Sequence, residues 1–378
     1  MNLAFALFRY FPYGGLQRDM LRIARECARR GHKVTILTRA WDGERPESIE
    51  VKLLPIKALS NHKRALEFAE RIGIISQTRE FDAIVGFNRM PYLDCYFAAD
   101  NCFAAQVDQN HSRIYRHMPR GKAYLQLERK LFSPDNPQKT RILSLTERQE
   151  KEYQQYYLTP PERFFRLPPG IQKNRRCPEN AQQLRDAVRC GNGINSHEFV
   201  LLQIGSGFRT KGVARSIKAL ANLPELLRKN TCLWIAGRDN PKKFKRLAAQ
   251  SGVGDSVLFL GGRDDIPQLL QAADLLIHPA INECACTALV EAVAAGLPVL
   301  TTANTGYSEI ISAAQSGVVT PEPFQLQSFT AELEKLLTGN QLPIMRSNAL
   351  DYAATHDLYN RHRVAADFIE TLSKGNRL

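Results

Sequence analysis

Twice along its length this chain repeats one rhythm: a short apolar run, a loop carrying glycine or proline, then a longer stretch with helical periodicity. That alternation is the signature of parallel α/β sheets, because parallel strands need a crossover long enough to hold a helix. In the first series the spacing predicts strands at 3–8, 34–38, 51–54, 83–87, 95–98 and 142–145, with helices near 16–30, 62–79, 112–132 and 147–157. In the second it predicts strands at 199–204, 233–236, 257–260, 275–278, 299–301 and 318–319, with helices near 213–223, 241–251, 267–272, 288–295, 326–337 and 343–355. Between the series, Pro168-Pro169-Gly170 can continue neither a helix nor a central strand and reads as an interdomain hinge. The expected architecture is α/β, with two doubly wound Rossmann-like domains at 1–167 and 168–356. A last helix at 358–373, within the tail 357–378, remains after the second series is complete. Two such domains facing one another would create a cleft at their strand carboxyl ends, where ligands bind in such sheets.

Charge narrows the class of partner. The net charge is +13, and residues 1–166 carry 28 Lys/Arg against 19 Asp/Glu, leaving the smaller excess for the remainder. A basic N-terminal half suggests an anionic partner: nucleic acid, a phospholipid surface or a phosphorylated substrate. Within it, the segment 103–132 sets Arg113, Arg116, Arg120, Lys122, Arg129 and Lys130 among Phe103, Tyr115, Tyr124 and Phe132. Such a mixture fits an anionic bilayer surface, and it equally fits a solvated helix with its aromatics on the core face. No nucleic-acid motif accompanies the charge, so no nucleic acid is expected as a partner. The first apolar run stops at Arg9, too short for a membrane span and without a cleavage site beside it. The eight cysteines are scattered and make no repeated C-x2-C pair with histidines, which suggests neither a disulfide framework nor a structural metal, and suits a reducing cytoplasm.

Candidate ligand-binding residues gather where strands end. After the first strand, Gly14-Gly15 would let backbone N–H groups approach an anion as a helix begins, or would simply make a tight turn. After strand 199–204 comes Gly205-Ser-Gly-Phe-Arg-Thr-Lys-Gly212, neither a dinucleotide fingerprint nor a P-loop. Its cations Arg209 and Lys211 could neutralise a diphosphate without a metal. Arg263 follows the strand at 257–260, and Asp100 follows the one at 95–98. His278 ends an apolar strand before Pro279 and reads as a hydrogen-bonded core histidine. Glu283 and Glu291 bracket the start of a helix that ends at Gly296. At a rise of roughly 1.5 Å per residue they would stand roughly 12 Å apart. That exceeds the roughly 5–9.5 Å of glycosidase carboxylate pairs, and would fit either the two ends of an extended ligand or a plain solvated helix face.

The assembled segments carry a resemblance. Tyr10-Phe-Pro-Tyr-Gly-Gly-Leu-Gln-Arg-Asp19, Val85-Gly-Phe-Asn-Arg-Met-Pro91, Tyr96-Phe-Ala-Ala-Asp100, Leu167-Pro-Pro-Gly-Ile171, Ala273-Asp-Leu-Leu-Ile-His-Pro-Ala280 and Gly296-Leu-Pro-Val-Leu-Thr-Thr302 run over nearly the whole chain. With the Lys211 loop and Glu283-x7-Glu291, the chain resembles the retaining glycosyltransferases of the GT-B fold, family 4. Within them it resembles the enzymes that pass glucose from UDP-glucose to a heptose of the lipopolysaccharide inner core in α-1,3 linkage.

The resemblance implies residue roles. Glu283 would hold sugar hydroxyls of the donor and Glu291 its ribose, with Cys286 and Thr287 beside them. Lys211 and Arg209 would bind the diphosphate, Arg175 would help, and Arg263 would lie by the uracil. Gly14, Gly15, Asp19 and Asp100 would face the transferred sugar from the other domain, and the last helix would pack back onto that domain. Family members retain anomeric configuration without an identified protein nucleophile and need no metal or other cofactor. The implied partners are UDP-glucose, a heptosylated and phosphorylated lipid A core acceptor, and the anionic inner face of the cytoplasmic membrane. Two positions depart from the family pattern: Cys286 stands where glycine is usual, and Thr210 precedes Lys211 where arginine is frequent. Rival readings are a family 4 transferase using another donor, such as UDP-N-acetylglucosamine, and a non-catalytic nucleotide-sugar or nucleic-acid binding protein.

Overall fold

A computed structural model of the chain describes residues 1–12, 14–110 and 113–375. Contacts between Cα atoms divide the chain into two units, one of Met1–Pro168 together with the segment from Asn360, the other of Pro169–Tyr359. In the first, β1 (Asn2–Tyr10), α1 (Gly15–Arg29), β2 (Lys33–Trp41), β3 (Glu50–Leu53), α2 (Asn61–Thr78), β4 (Ala83–Gly86) and β5 (Cys95–Phe97) follow in order. Next come α3 (Phe103–Asn110), a 3-10 turn at Arg113–His117, α4 (Pro119–Phe132), β6 (Arg141–Ser144), α5 (Glu147–Tyr157) and β7 (Phe164–Arg166). The second unit opens with a 3-10 turn at Lys173–Arg175 and α6 (Ala181–Gly191), then β8 (Phe199–Ile204), α7 (Val213–Ala221), α8 (Glu225–Lys229), β9 (Thr231–Ala236) and α9 (Lys242–Gln250). It continues with β10 (Val257–Gly261), α10 (Ile266–Ala272), β11 (Leu275–His278), α11 (Thr287–Ala295), β12 (Val299–Thr302), α12 (Ser308–Ala313), β13 (Gly317–Thr320), α13 (Leu326–Thr338) and α14 (Gln341–Thr355). The last helix, α15 (Arg361–Gly375), belongs to the first unit.

Each unit holds one parallel sheet. The orders are β3-β2-β1-β4-β5-β6-β7 and β10-β9-β8-β11-β12-β13. In both, the first strand of the unit is central and the order reverses beside it, between β1 and β4 and between β8 and β11. Such a reversal opens a crevice at the strand carboxyl ends, because the connections on either side leave in opposite directions. The strands are continuous apolar runs because helices cover both faces of a parallel sheet. Leu3, Ala4, Phe5 and Ala6 of β1, and Leu275, Leu276 and Ile277 of β11, are all fully buried.

The first unit is closed by its returning helix. Arg30, just past α1, donates to Asp367 at 2.7 Å and Glu370 at 3.2 Å on α15, and His32 meets Glu370 at 2.8 Å. Several elements differ from the sequence expectation. The helix expected at 112–132 is a 3-10 turn followed by α4, because Pro119 occupies the first helical turn, where its missing N–H costs nothing but cannot be crossed by a preceding helix. Residue 112 of that expectation lies outside the described residues. The edge strand β7 and the helices α3, α6, α8 and α12 were not expected at all. All eight cysteines are free thiols, and among the described residues no helix is long and apolar enough to cross a membrane.

Candidate active site

At the carboxyl end of β8, a loop aims one lysine at one glutamate. Gly205 has φ +123°, and a Cβ there would lie 2.5 Å from Cε of Lys211, so the lysine stem crosses the space a side chain would fill. Gly212 has φ +74°, and its Cβ would fall 1.8 Å from the Pro279 carbonyl, so the start of α7 is pressed against the end of β11. The loop between them is pinned by Gln203 Nε2 donating to the Lys211 carbonyl at 2.7 Å, by the Phe208 amide donating to Asp239 at 2.8 Å, and by Thr210 Oγ1 donating to the Gly207 carbonyl at 2.9 Å. Thr210 therefore serves the loop itself.

Glu283 receives that lysine. Its backbone makes an isolated parallel bridge to Thr305, with its N–H on the Asn304 carbonyl at 3.0 Å and its carbonyl accepting from Gly306 at 2.9 Å. Oε1 accepts from Lys211 Nζ, and Oε2 lies 2.9 Å from His278 Nε2. Burial pushes His278 toward its neutral form. Facing a carboxylate that only accepts, Nε2 carries the ring proton. Burial alone would raise the Glu283 pKa, but the His278 hydrogen bond and the Lys211 charge together hold it at about 2. Lys211 is held above its ordinary value by the same carboxylate, against the effect of its own burial. The carboxylate is thus charged, oriented and largely withdrawn from water, the preorganisation that lets a site act on a polar substrate without rearranging first.

Cys286 completes this cluster, with Sγ 3.3 Å from His278 Nε2 and the whole residue buried. Its φ is −93°, so at the position where the resemblance led to glycine being expected the backbone is extended, and a side chain requires no left-handed conformation. The donor atoms of His278, Glu283 and Cys286 lie within 4.8 Å of one another, a spacing that could admit a metal ion. Lys211 already supplies the positive charge on Glu283, however, and burial pushes the thiol pKa well up.

The spacing of the glutamates needs correction. Helix α11 begins at Thr287, so the residues from Glu283 to Cys286 form a loop and the helical rise does not apply to them. Only Glu291 is helical. Its Oε1 lies 3.4 Å from Nε of Arg175, so the arginine expected to help with a diphosphate is paired with the carboxylate expected at the ribose. Thr287 is exposed at the start of α11. Arg209 is exposed on its loop, and Arg263 is held by Asp265 through Nε at 2.7 Å.

In the first unit, Gly14 caps α1 in an extended conformation, and a Cβ on Gly15 would meet nothing within 4 Å. Asp19 does not stand free. Its two oxygens lie 3.1 Å from Arg361 Nη1 and 2.9 Å from His362 Nε2, both on α15, and these groups hold it charged despite burial. The carboxylate expected to face the sugar fastens the returning helix. Asp100 is different: Gln149 Nε2 holds its carbonyl at 2.7 Å, while its half-exposed carboxylate lies 3.5 Å from Arg89. Arg89 also reaches Glu128 at 3.4 Å and the Asn101 carbonyl at 3.1 Å. Neither Arg89 nor His278 was singled out as a site residue from sequence; the one usable signal was that each sits next to a strand end.

The basic segment is more basic than its sum. Glu128 turns inward, fully buried, accepting from the Phe103 and Ala104 amides at 2.8 and 3.0 Å and from the Tyr157 hydroxyl at 2.6 Å. Arg120, Lys122, Arg129 and Lys130 remain exposed beside Ile114 and Met118. Arg116 is paired with Asp108 at 2.6 Å. The side chain of Arg113 lies outside the described residues.

Comparison with known proteins decides the family. The model for glycosyltransferase family 4 matches residues 13–175, and that for glycosyl transferases group 1 matches residues 185–356. The lipopolysaccharide glucosyltransferase WaaG of Escherichia coli K12 is 45% identical over 370 residues, covering 98% of this chain and 98% of that one. The chain belongs to glycosyltransferase family 4. A crystal structure of WaaG, a glycosyltransferase involved in lipopolysaccharide biosynthesis, superposes with a TM-score of 0.88 at 45% identity, covering 97% of this chain and 99% of that one. Its GT-B architecture is the fold class of this family 4 enzyme. Sucrose-phosphate synthase of Thermosynechococcus elongatus shares the fold at 16% identity, with a TM-score of 0.75 over 99% of this chain and 98% of that one.

Proposed function

We propose that this glycosyltransferase moves glucose from UDP-glucose to a heptose of the lipopolysaccharide inner core, in α-1,3 linkage and with retention. The observation that carries the reading is the 45% identity to a lipopolysaccharide glucosyltransferase along 98% of both chains. The site geometry suits it. Glu283 is a buried, charged acceptor able to grip sugar hydroxyls. Lys211 lies on that carboxylate and is available to a departing diphosphate, whose charge it would offset. Glu291 with Arg175, and the exposed Arg209 and Arg263, are proposed to hold the nucleotide. Gly15 and Asp100 are proposed to meet the sugar from the first unit. No metal is assigned a role, since Lys211 already provides the cation.

The enzyme is proposed to work at the inner face of the cytoplasmic membrane, with Arg120, Lys122, Arg129 and Lys130 drawn to anionic lipid and Ile114 and Met118 entering it. Sugar analysis of the core oligosaccharide from a strain lacking this gene tests the reading. Loss of the first glucose, with the heptoses intact, is the expected result. An unchanged core, or loss of N-acetylglucosamine instead, would overturn it.

A further inference from the structure

Two strand ends of the first sheet are joined through one arginine. β4 and β5 are parallel neighbours, with Val85 opposite Cys95 and Gly86 opposite Tyr96, so the loops leaving their carboxyl ends start side by side. Arg89 lies on the first loop and Asp100 on the second. The main chain around Asp100 is fixed at several points. Its carbonyl accepts from Gln149 Nε2 at 2.7 Å and from the Tyr153 hydroxyl at 3.3 Å. The carbonyl of Asn101 accepts from Arg89 Nη2 at 3.1 Å, and Asn101 Oδ1 accepts from Arg148 Nη2 at 3.0 Å. The Asp100 side chain is held differently. It is 46% exposed, and Arg89 Nη2 stands 3.5 Å from its Oδ2, an ion-pair distance that leaves the carboxylate able to accept hydrogen bonds from a ligand.

Arg89 is itself anchored from the far side. Its guanidinium lies 5.8 Å over the Phe103 ring, and Nε stands 3.4 Å from Oε1 of the fully buried Glu128 without an aligned hydrogen bond. Burial would weaken its hold on its proton, but the charges of Glu128 and Asp100 reverse that and keep it a cation. Glu128 is already served by the Phe103 and Ala104 amides and by the Tyr157 hydroxyl. The rigid, planar fork of the guanidinium lets one cation face Glu128 through Nε while it turns Nη2 toward Asp100 and the Asn101 carbonyl. Two carboxylates share that cation, so Asp100 keeps accepting power while its direction is set.

We propose that Arg89 is a positioning residue for the transfer reaction: anchored on Glu128, it orients the Asp100 carboxylate toward the reacting sugar. The inference rests on the assignment of Asp100 to the sugar under the proposed function, and it adds the residue through which that carboxylate is set. Arg89 acts through Asp100 and does not touch the substrate.

The test is a double-mutant cycle on the full-length enzyme with UDP-glucose and a heptosylated core acceptor, read by UDP release. Asp100→Asn alone should lower kcat about 100-fold, the cost of losing one preorganised charge. Arg89→Gln should lower kcat about tenfold and leave the KM for UDP-glucose within about twofold, as misorientation does. In the Asp100→Asn background, Arg89→Gln should cost less than about twofold, because the group it orients has lost its charge. Arg89→Lys keeps the charge without the fork and should recover part of the activity. Because Arg89→Gln strands Glu128 as a buried charge and can unfold the chain, it is also combined with Glu128→Gln, and the fall in kcat should persist in that variant. Equal factors for Arg89→Gln with and without the Asp100 charge would overturn the proposal and leave Arg89 a structural residue. So would an unchanged kcat in a folded Arg89→Gln, or full recovery on adding Glu128→Gln. An unchanged kcat in Asp100→Asn would overturn the assignment of Asp100 to the sugar, and the proposal with it, whatever Arg89→Gln does.

Discussion

At the carboxyl edge of the six-stranded sheet, Lys211 and His278 both hold the Glu283 carboxylate, although His278 Nδ1 is buried without a hydrogen-bond partner. At the corresponding edge of the seven-stranded sheet, the Arg39 guanidinium lies over the Phe8 ring, and its buried Nε has no hydrogen-bond partner among the described residues. Both sheets have the same order and the same reversal beside their first strand, so topology does not explain the contrast. The second unit spends its charges on one another to fix a carboxylate in place before any ligand arrives. The first unit spends its carboxylates on structure, Asp19 under α15 and Glu128 at the start of α3, and leaves cations over. A preorganised site suits the small shifts of charge in a transfer reaction. A cationic surplus suits capture of an anionic, bulky partner, because long-range attraction speeds encounter and tolerates variation in shape.

The sharpest way to break the contrast is at Glu283. Glu283→Gln keeps the shape and removes the charge, and should lower glucose transfer roughly 100- to 1,000-fold, as loss of a preorganised electrostatic contact does. Steady-state UDP release measures it, and a loss below about threefold would show that the carboxylate does not touch the reaction. Asp19→Ala should do the opposite. Arg361 is 2% exposed and would be left buried without this carboxylate, costing about 3 kcal/mol of stability. Thermal denaturation should record a lower Tm while transfer per folded molecule stays near normal. A large fall in kcat with an unchanged Tm would return Asp19 to the sugar.

His278→Ala probes how the second unit achieves its order. Glu283 is held at about 2 against an ordinary value of 4.5, so its favourable contribution is complete above pH 4.5 and is lost as pH falls through about 2. Without His278, burial is opposed mainly by Lys211 and the carboxyl pKa rises. The acid limb of the pH–rate profile should then move upward, with kcat falling about tenfold at neutral pH, the effect of loosening an oriented group. An unshifted acid limb would mean that His278 only fills space. The smallest effect is expected at the surface. Replacing Lys122, Arg129 and Lys130 with Gln should weaken flotation with anionic vesicles by about 1 kcal/mol per charge at most. UDP release with a lipid-free acceptor should be unaffected. Equal binding of the unaltered enzyme to neutral vesicles would refute the membrane claim.

The sheets were legible because a buried parallel strand is a continuous apolar run, and every expected strand from residues 3–8 to 318–319 lies in one of the two sheets. β7 escaped because Phe164–Arg166 is three residues at a sheet edge behind Pro160 and Pro161, too short to show a pattern. Lys211 and Glu283 were legible as cation and carboxylate at strand ends. His278 is the buried, hydrogen-bonded histidine that its strand suggested, but its partner was not legible, because what brings Glu283 to it is the bridge to Thr305, a tertiary contact with no local trace. The span between Glu283 and Glu291 was misjudged for a different reason: helical rise was carried back past the expected helix start at 288, into residues that form a loop with Cys286 extended. Arg39 is identified only by what it lacks, which a sequence cannot display.

The central claim is that a fixed, charged Glu283 serves glucose transfer to a heptose of the core. Purified enzyme incubated with UDP-glucose and heptosylated core acceptor, with the acceptor weighed by mass spectrometry, tests it directly. The account predicts one added hexose from UDP-glucose, faster than any product from UDP-N-acetylglucosamine, and almost none from Glu283→Gln. Faster transfer from another nucleotide sugar, or equal product from the Gln variant, would contradict it.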